Sequence, residues 1–143
     1  MEPEELFDQF LEDTVYKDKQ VGPLGVHITV DVVLRLTDCA DIDFGGGEMK
    51  PAGTEPVATE KRSPDDDYAW WNLEQGTYLV RFNERLKDGA PPVLLVPDAR
   101  LLRCGGDLSA ALPSSHEIIA VLRVPEKGVC IKENARVAVL RPL

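Results

Sequence analysis

The sequence predicts an all-β fold, and three observations carry that expectation. Short apolar runs at 77–82, 92–96, 118–124, 128–131 and 136–140 are each bounded by Gly, Pro or Asn turns. Val26, Ile28 and Val30 alternate with His27 and Thr29, the period of a half-buried strand. Helical periodicity shows only near the N-terminus. Many short strands with regular turns and little helix imply a strand-rich barrel or sandwich.

The elements follow in order. Within an N-terminal segment 1–20, residues 3–15 predict a short helix. Pro3 suits a first-turn position, and Glu4 and Glu5 favour a helix N-terminus. Leu6, Phe7, Phe10, Leu11 and Val15 fall on one face, which caps the chain's own core or docks on a neighbouring subunit. From Val21 the pattern turns to strand, continuing through Val32, Val33, Leu34 and Leu36. Gly45-Gly46-Gly47 reads as a turn; no Lys-Ser/Thr or helix start follows it, so it is no phosphate cradle. Residues 50–68 read as a long loop punctuated by Pro51, Gly53, Pro56 and Pro64. Its Asp65-Asp66-Asp67 run reads as a solvated acidic stretch rather than a cation site. Tyr68, Trp70 and Trp71 form the one aromatic cluster, by default core or subunit interface. Nucleobase stacking is the alternative.

A chain of 143 residues suits a single domain, 1–143. Hydrophobic residues at 43% and charged residues at 29% permit a buried core without a disulfide or metal staple. The net charge of −9 and the lack of any Lys/Arg run argue against nucleic-acid binding. Cys39, Cys104 and Cys130 match no zinc spacing and read as small buried hydrophobes. With only two histidines, a His-based metal site is not expected. No leader or membrane span is visible, so a soluble, cytoplasmic protein is expected.

Longer segments now come into play. They are Val21-Gly22-Pro23-Leu24-Gly25-Val26-His27-Ile28-Thr29-Val30, the short Ile42-Asp43-Phe44, and Leu73 to Val80 running on to Asn83-Glu84. Pro97-Asp98-Ala99-Arg100-Leu101-Leu102-Arg103 and Gly128 to Ala138 complete the set. In this order and spacing they resemble the dUTPase and dCTP deaminase superfamily, most closely its archaeal-looking members. The corresponding family patterns are VQPxGVDLTV, LxPGxYxV with YLVxxNE, PRSSLLRxG and GVxIxxxARIAQL. The resemblance implies a β-clip fold and a homotrimer with sites between subunits. It implies a deoxynucleoside triphosphate substrate bound with Mg²⁺, and no zinc. One branch hydrolyses dUTP to dUMP and diphosphate with an Asp-activated water; the other deaminates dCTP with a Glu.

The match is good where residues serve the fold and fails where they serve chemistry. The phosphate-binding Arg of the family falls on Asp98, and its serines fall on Ala99 and Arg100. An opposite charge pair at about 4 Å and an effective dielectric near 20 is worth roughly 4 kcal/mol. Asp98 facing a triphosphate would turn attraction into repulsion. Arg100 and Arg103 compensate if both face the pocket; for Arg103 the alternative is a buried structural ion pair. If both face it, the site suits a mononucleotide or sulfate better than a triphosphate, and Asp98→Arg with Ala99→Ser would raise triphosphate affinity. The water-activating Asp falls on Pro113, and the Tyr under the deoxyribose falls on His116. The deaminase Glu falls on Arg123, which cannot shuttle protons. The ligand-contacting Gln falls on Val139. The chain also ends without a Gly-rich C-terminal arm. Ser114-Ser115-His116-Glu117 superficially offers a triad, but adjacent residues rarely reach that geometry.

The expectation is therefore a homologue of these enzymes lacking both standard reactions. It would act as a nucleotide-binding, regulatory or structural protein, a pseudoenzyme with no resident cofactor. The alternative is a divergent dUTP diphosphatase with a relocated base such as Glu117 or Asp107, working on a Mg²⁺-nucleotide complex.

Overall fold

The computed structural model describes residues 1–143. The chain opens with α1 (Pro3–Glu5), which runs into a wider helical turn at Leu6–Phe10, then β1 (Leu11–Glu12) and α2 (Lys17–Gln20). Next come β2 (Val21–Gly22), β3 (Gly25–Leu36), β4 (Thr54–Pro56), β5 (Trp70–Leu73) and β6 (Gly76–Leu86). The remainder is β7 (Val93–Pro97), α3 (Ala99–Arg103), β8 (Asp107–Leu108), β9 (Glu117–Val124), β10 (Val129–Lys132) and β11 (Arg136–Pro142).

The period-two pattern places the core. On β6, Tyr78, Val80, Phe82, Glu84 and Leu86 point inward; on β9, Ile118, Ala120, Leu122 and Val124 do. Val26, Ile28, Val30 and Val33 of β3 meet them, and a register shift between Val30 and Val32 leaves Asp31 on the surface. The main sheet is antiparallel in the order β7-β11-β3-β6-β9-β8, with β1, β2 and β4 as short additions. It curls almost shut. Leu95 on the β7 edge and Ala111, just past β8, exchange backbone hydrogen bonds of 2.9 and 3.1 Å. The expected all-β, barrel-like architecture is thus present. β5 and β10 pair as a separate two-stranded sheet. The turn into β3 depends on Gly25, at φ +147°, where a Cβ would collide with the Leu140 carbonyl oxygen.

Two elements differ from expectation. The N-terminal helix ends at Phe10 rather than 15, because the next amides find other partners. Leu11 is extended and pairs with Leu86, Asp13 takes φ +60°, and the Val15 and Tyr16 amides donate to Gln20 Oε1 at 2.7 and 2.8 Å. Leu6, Phe7 and Leu11 are buried against the chain's own core, whereas Val15 is exposed. The 50–68 stretch is also more ordered than a long loop. Thr54–Pro56 pairs with β3, and Glu60 and Trp70 exchange hydrogen bonds of 2.8 and 2.9 Å. Trp71 is buried and donates from Nε1 to Val57 O at 3.2 Å, so it is already core without any partner.

One buried polar knot ties the N-terminal segment to the barrel. Glu84 occupies an inward position on β6 and is fully buried. Its Oε1 accepts from Thr29 N at 2.8 Å; Oε2 accepts from Thr29 Oγ1 at 2.6 Å and Gln20 Nε2 at 2.8 Å. Gln20 Nε2 also donates to His27 O at 2.9 Å. Burial, the largest effect, raises the Glu84 pKa above its ordinary value, while these hydrogen bonds oppose the shift. No helix is long and apolar enough to cross a membrane.

Candidate functional site

The segment after β7 is built around Asp98. Its carboxylate is buried and caps α3: Oδ1 accepts from the Arg100 amide at 3.0 Å. Oδ2 meets His27 Nδ1 at 2.5 Å across the β3 side of the barrel. Asp98 therefore faces the fold rather than a ligand, contrary to the expectation that it would confront a triphosphate. An arginine there would have to occupy the same buried cap position. Asp98→Arg with Ala99→Ser would remove the α3 cap and the His27 contact.

The helix that Asp98 caps presents Arg100 to a cavity of about 280 Å³ between α3 and β10. Trp70, Ile131, Lys132 and Arg136 share its lining. Arg103 does not; it is exposed and makes no salt bridge, so the buried ion pair that was its alternative does not form within the chain. Arg136 takes that place. Burial, and next the Arg100 charge, lower its pKa, while Asp98 acts the other way. It also donates to Lys19 O at 2.7 Å. No carboxylate lines this cavity, so three cations stand together in an acidic chain. The sequence offered a signal for Arg136: it holds the Arg place of the family's ARIAQL segment.

The same wall corrects the reading of the cysteines. All three are free and exposed, and Cys104 and Cys130 line this cavity. Cys130 points outward because Val129 and Ile131 on either side of it face the core. Trp70 is partly exposed, with the Arg62 guanidinium 3.5 Å over its ring and Lys132 Nζ 5.6 Å away.

Pro113 and His116 lie elsewhere. They line a second cavity, about 580 Å³, between the 110–117 segment and the Leu86–Pro92 turn. His116 Nδ1 lies 2.5 Å from the Leu86 carbonyl oxygen and Nε2 lies 3.0 Å from Asp88 Oδ1. Asp88 is the one carboxylate in that lining. Ser115 Oγ donates to the Glu117 carbonyl, not to His116, so no Ser-His pair forms. Glu117 pairs with Arg81 at 3.6 Å and Asp107 with Arg123 at 3.7 Å; neither lines either cavity. Arg123 sits on the outward face of β9, donating to Ser109 Oγ at 3.0 Å. Val139 is buried in β11, beside Gly25. Within one chain the sequence-derived positions thus divide. Arg100 lies in the basic cavity, Pro113 and His116 in the larger one, and Asp98, Arg103, Arg123 and Val139 in neither. No three His, Cys, Asp or Glu side chains are grouped to hold a metal ion.

No family model matches the chain. Three archaeal proteins do resemble it over most of its length. A probable deoxyuridine 5′-triphosphate nucleotidohydrolase from Methanosarcina acetivorans is 28% identical over 134 residues, covering 89% of this chain and 74% of the relative. Proteins of the same name from Methanosarcina mazei and Archaeoglobus fulgidus are each 27% identical, with the same coverage. Taken with the nearly closed all-β barrel and the ordered frame segments, these likenesses make the chain a dUTPase-related protein.

Proposed function

We propose that this protein is a nucleotide-binding, regulatory or structural homologue of the dUTPases that has lost both diphosphatase and deaminase chemistry. One observation carries the reading: where the water-activating Asp is expected, the chain has Pro113, and the only carboxylate lining that cavity, Asp88, is paired with His116. A general base must lie within hydrogen-bond reach of the proton it takes, and proline has none to offer. The basic cavity supports binding without turnover. Arg100 and Arg136 are suited to a phosphate group, and a mononucleotide or sulfate would neutralise them more nearly than a triphosphate. Mg²⁺ enters this reading only with a bound nucleotide. The homotrimer and the cytoplasmic setting belong to the same proposal.

A second reading draws on the His116–Asp88 pair, which lies beside Ser114 and Ser115 in the larger cavity. The names of the relatives support hydrolysis of dUTP, and a titratable His-Asp pair is chemistry that a relocated base could use.

Diphosphate release from dUTP and ammonia release from dCTP, each with Mg²⁺, separate the readings, alongside calorimetry with dUTP and dUMP. Binding without turnover is the expected result. Turnover of about 1 s⁻¹ or faster, abolished by His116→Ala, would establish the second reading and overturn the first.

A further inference from the structure

One apolar feature of the surface is covered by nothing in the chain. Between β3 and β4, residues 37–53 form a projecting arm. Its base is closed by Thr37 N to Gly53 O at 2.8 Å and by reciprocal Asp41–Lys50 backbone bonds of 2.9 Å. Its tip is shaped by Asp43, whose carboxylate accepts from Gly46 N at 3.0 Å and Glu48 N at 2.8 Å. The arm is thus held by its own hydrogen bonds. Yet Ile42, Phe44 and Met49 are 89%, 109% and 53% exposed. Single exposed apolar residues are ordinary, but three on one preformed arm mark a contact surface.

The chain carries the complement of that arm. The 280 Å³ cavity is walled mainly by apolar groups and rimmed by Arg100, Lys132 and Arg136, with no acid. The arm from 37 to 50 has four acids, Asp38, Asp41, Asp43 and Glu48, against one base, Lys50, a net charge of −3. A cavity of about 150 Å³ holds a benzene ring, so this one has room for the Phe44 ring and a neighbouring aliphatic group. Phe44 is fully exposed, so the arm does not fill its own chain's cavity. Two copies with a net charge of −9 each repel on average. Opposite local fields are what would bring them together, and they would fix the register of contact.

We infer that the 37–53 arm of one copy inserts Phe44 and Ile42 into the basic-rimmed cavity of a second copy of this chain, where the arm and a phosphate group are competing occupants of one site. The contact joins two different patches, so each copy gives one arm and receives another. Repeated with a rotation that closes, it makes a ring. The inference rests on the homotrimer reading above and names the surfaces that meet.

The test uses Phe44→Ser and Phe44→Cys in the full chain. Phe44 touches nothing in its own chain that the change would unfold, and circular dichroism checks this. Light scattering of the parent should give a mass above the 15.8 kDa monomer. Phe44→Ser should raise the concentration for half-assembly by about 30-fold or more, the scale of a buried aromatic hot spot. Under mild oxidation, peptide mapping of Phe44→Cys should find the new thiol joined to Cys104 or Cys130 of another copy. Anilinonaphthalene sulfonate should bind the dissociated Phe44→Ser chain better than the assembled parent. A trimer unchanged by Phe44→Ser would sink the arm contact and leave the trimer standing. A monomeric parent at micromolar concentration would sink both. Trapping only to Cys39 or to a second new thiol, or equal dye binding by the assembled parent, would overturn the placement of the arm.

Discussion

Asp98→Ala tests whether residue 98 serves the fold or a ligand. The carboxylate makes two contacts that alanine cannot: it caps α3 through the Arg100 amide, and it meets His27 Nδ1. Losing an N-cap costs about 0.5–2 kcal/mol. A hydrogen bond to a charged group contributes about 1.5–3 kcal/mol. Together the loss is about 2–5 kcal/mol, against a typical domain stability of about 5–15 kcal/mol. With a urea slope of about 1–3 kcal/mol per molar, the unfolding midpoint should fall by at least about 0.7 M. Asp98→Asn keeps an oxygen for the cap and loses the ionic partner of His27, so its loss should be intermediate. A change in Asp98→Ala within about 0.5 kcal/mol, the range of ordinary surface substitutions, would refute the placement of this side chain. It would also restore the view of the 97–103 segment as a ligand loop.

Glu84→Gln should alter how stability depends on pH. The Glu84 pKa is raised in the fold by burial, so the stability it confers is full below its ordinary value of 4.5 and is lost as pH rises through the higher folded value. Parent stability minus variant stability, from urea unfolding, should therefore decline as pH rises from below 4.5; a flat or rising difference would contradict it. In the dissociated Phe44→Ser chain all three thiols should react with a water-soluble disulfide reagent, since Cys39, Cys104 and Cys130 are exposed within one chain. Protection of Cys104 and Cys130 that disappears in Phe44→Ser would tie their exposure to assembly; protection that persists in the monomer would contradict the exposed placement.

The barrel was legible because its signals are local. Alternation such as Tyr78, Val80 and Phe82 declares an inward face within one strand, and turn residues mark the ends. Cys130 is legible in the same way, as the outward residue between Val129 and Ile131. Asp98 was not. Its partner His27 is 71 positions away, and only the folded sheet brings them together. The same holds for Glu84 and Gln20, 64 positions apart. A hydrophobic pattern expects an apolar residue at an inward β6 position and says nothing of three donors converging there. The end of the N-terminal helix is not legible, because Leu11 is apolar in either state and it is the Gln20 side chain that takes the amides of 15 and 16. Cavities assembled from α3 and β10 likewise exist only after the chain has folded.

The Leu95–Ala111 join has a consequence for how the protein survives its own fluctuations. A strand left at a sheet edge offers unpaired amides and carbonyls as a template for fibril growth or strand exchange. β7 pairs with β11 on one side, and on the other the two bonds between Leu95 and Ala111 occupy its middle. Pro91, Pro92 and Pro97 at its ends have no amide to donate to an incoming chain. The barrel is therefore guarded at its seam by two hydrogen bonds and three prolines. Opening of that seam, rather than melting of the β3-β6-β9 body, is the low-energy excursion through which aggregation and early amide exchange would begin.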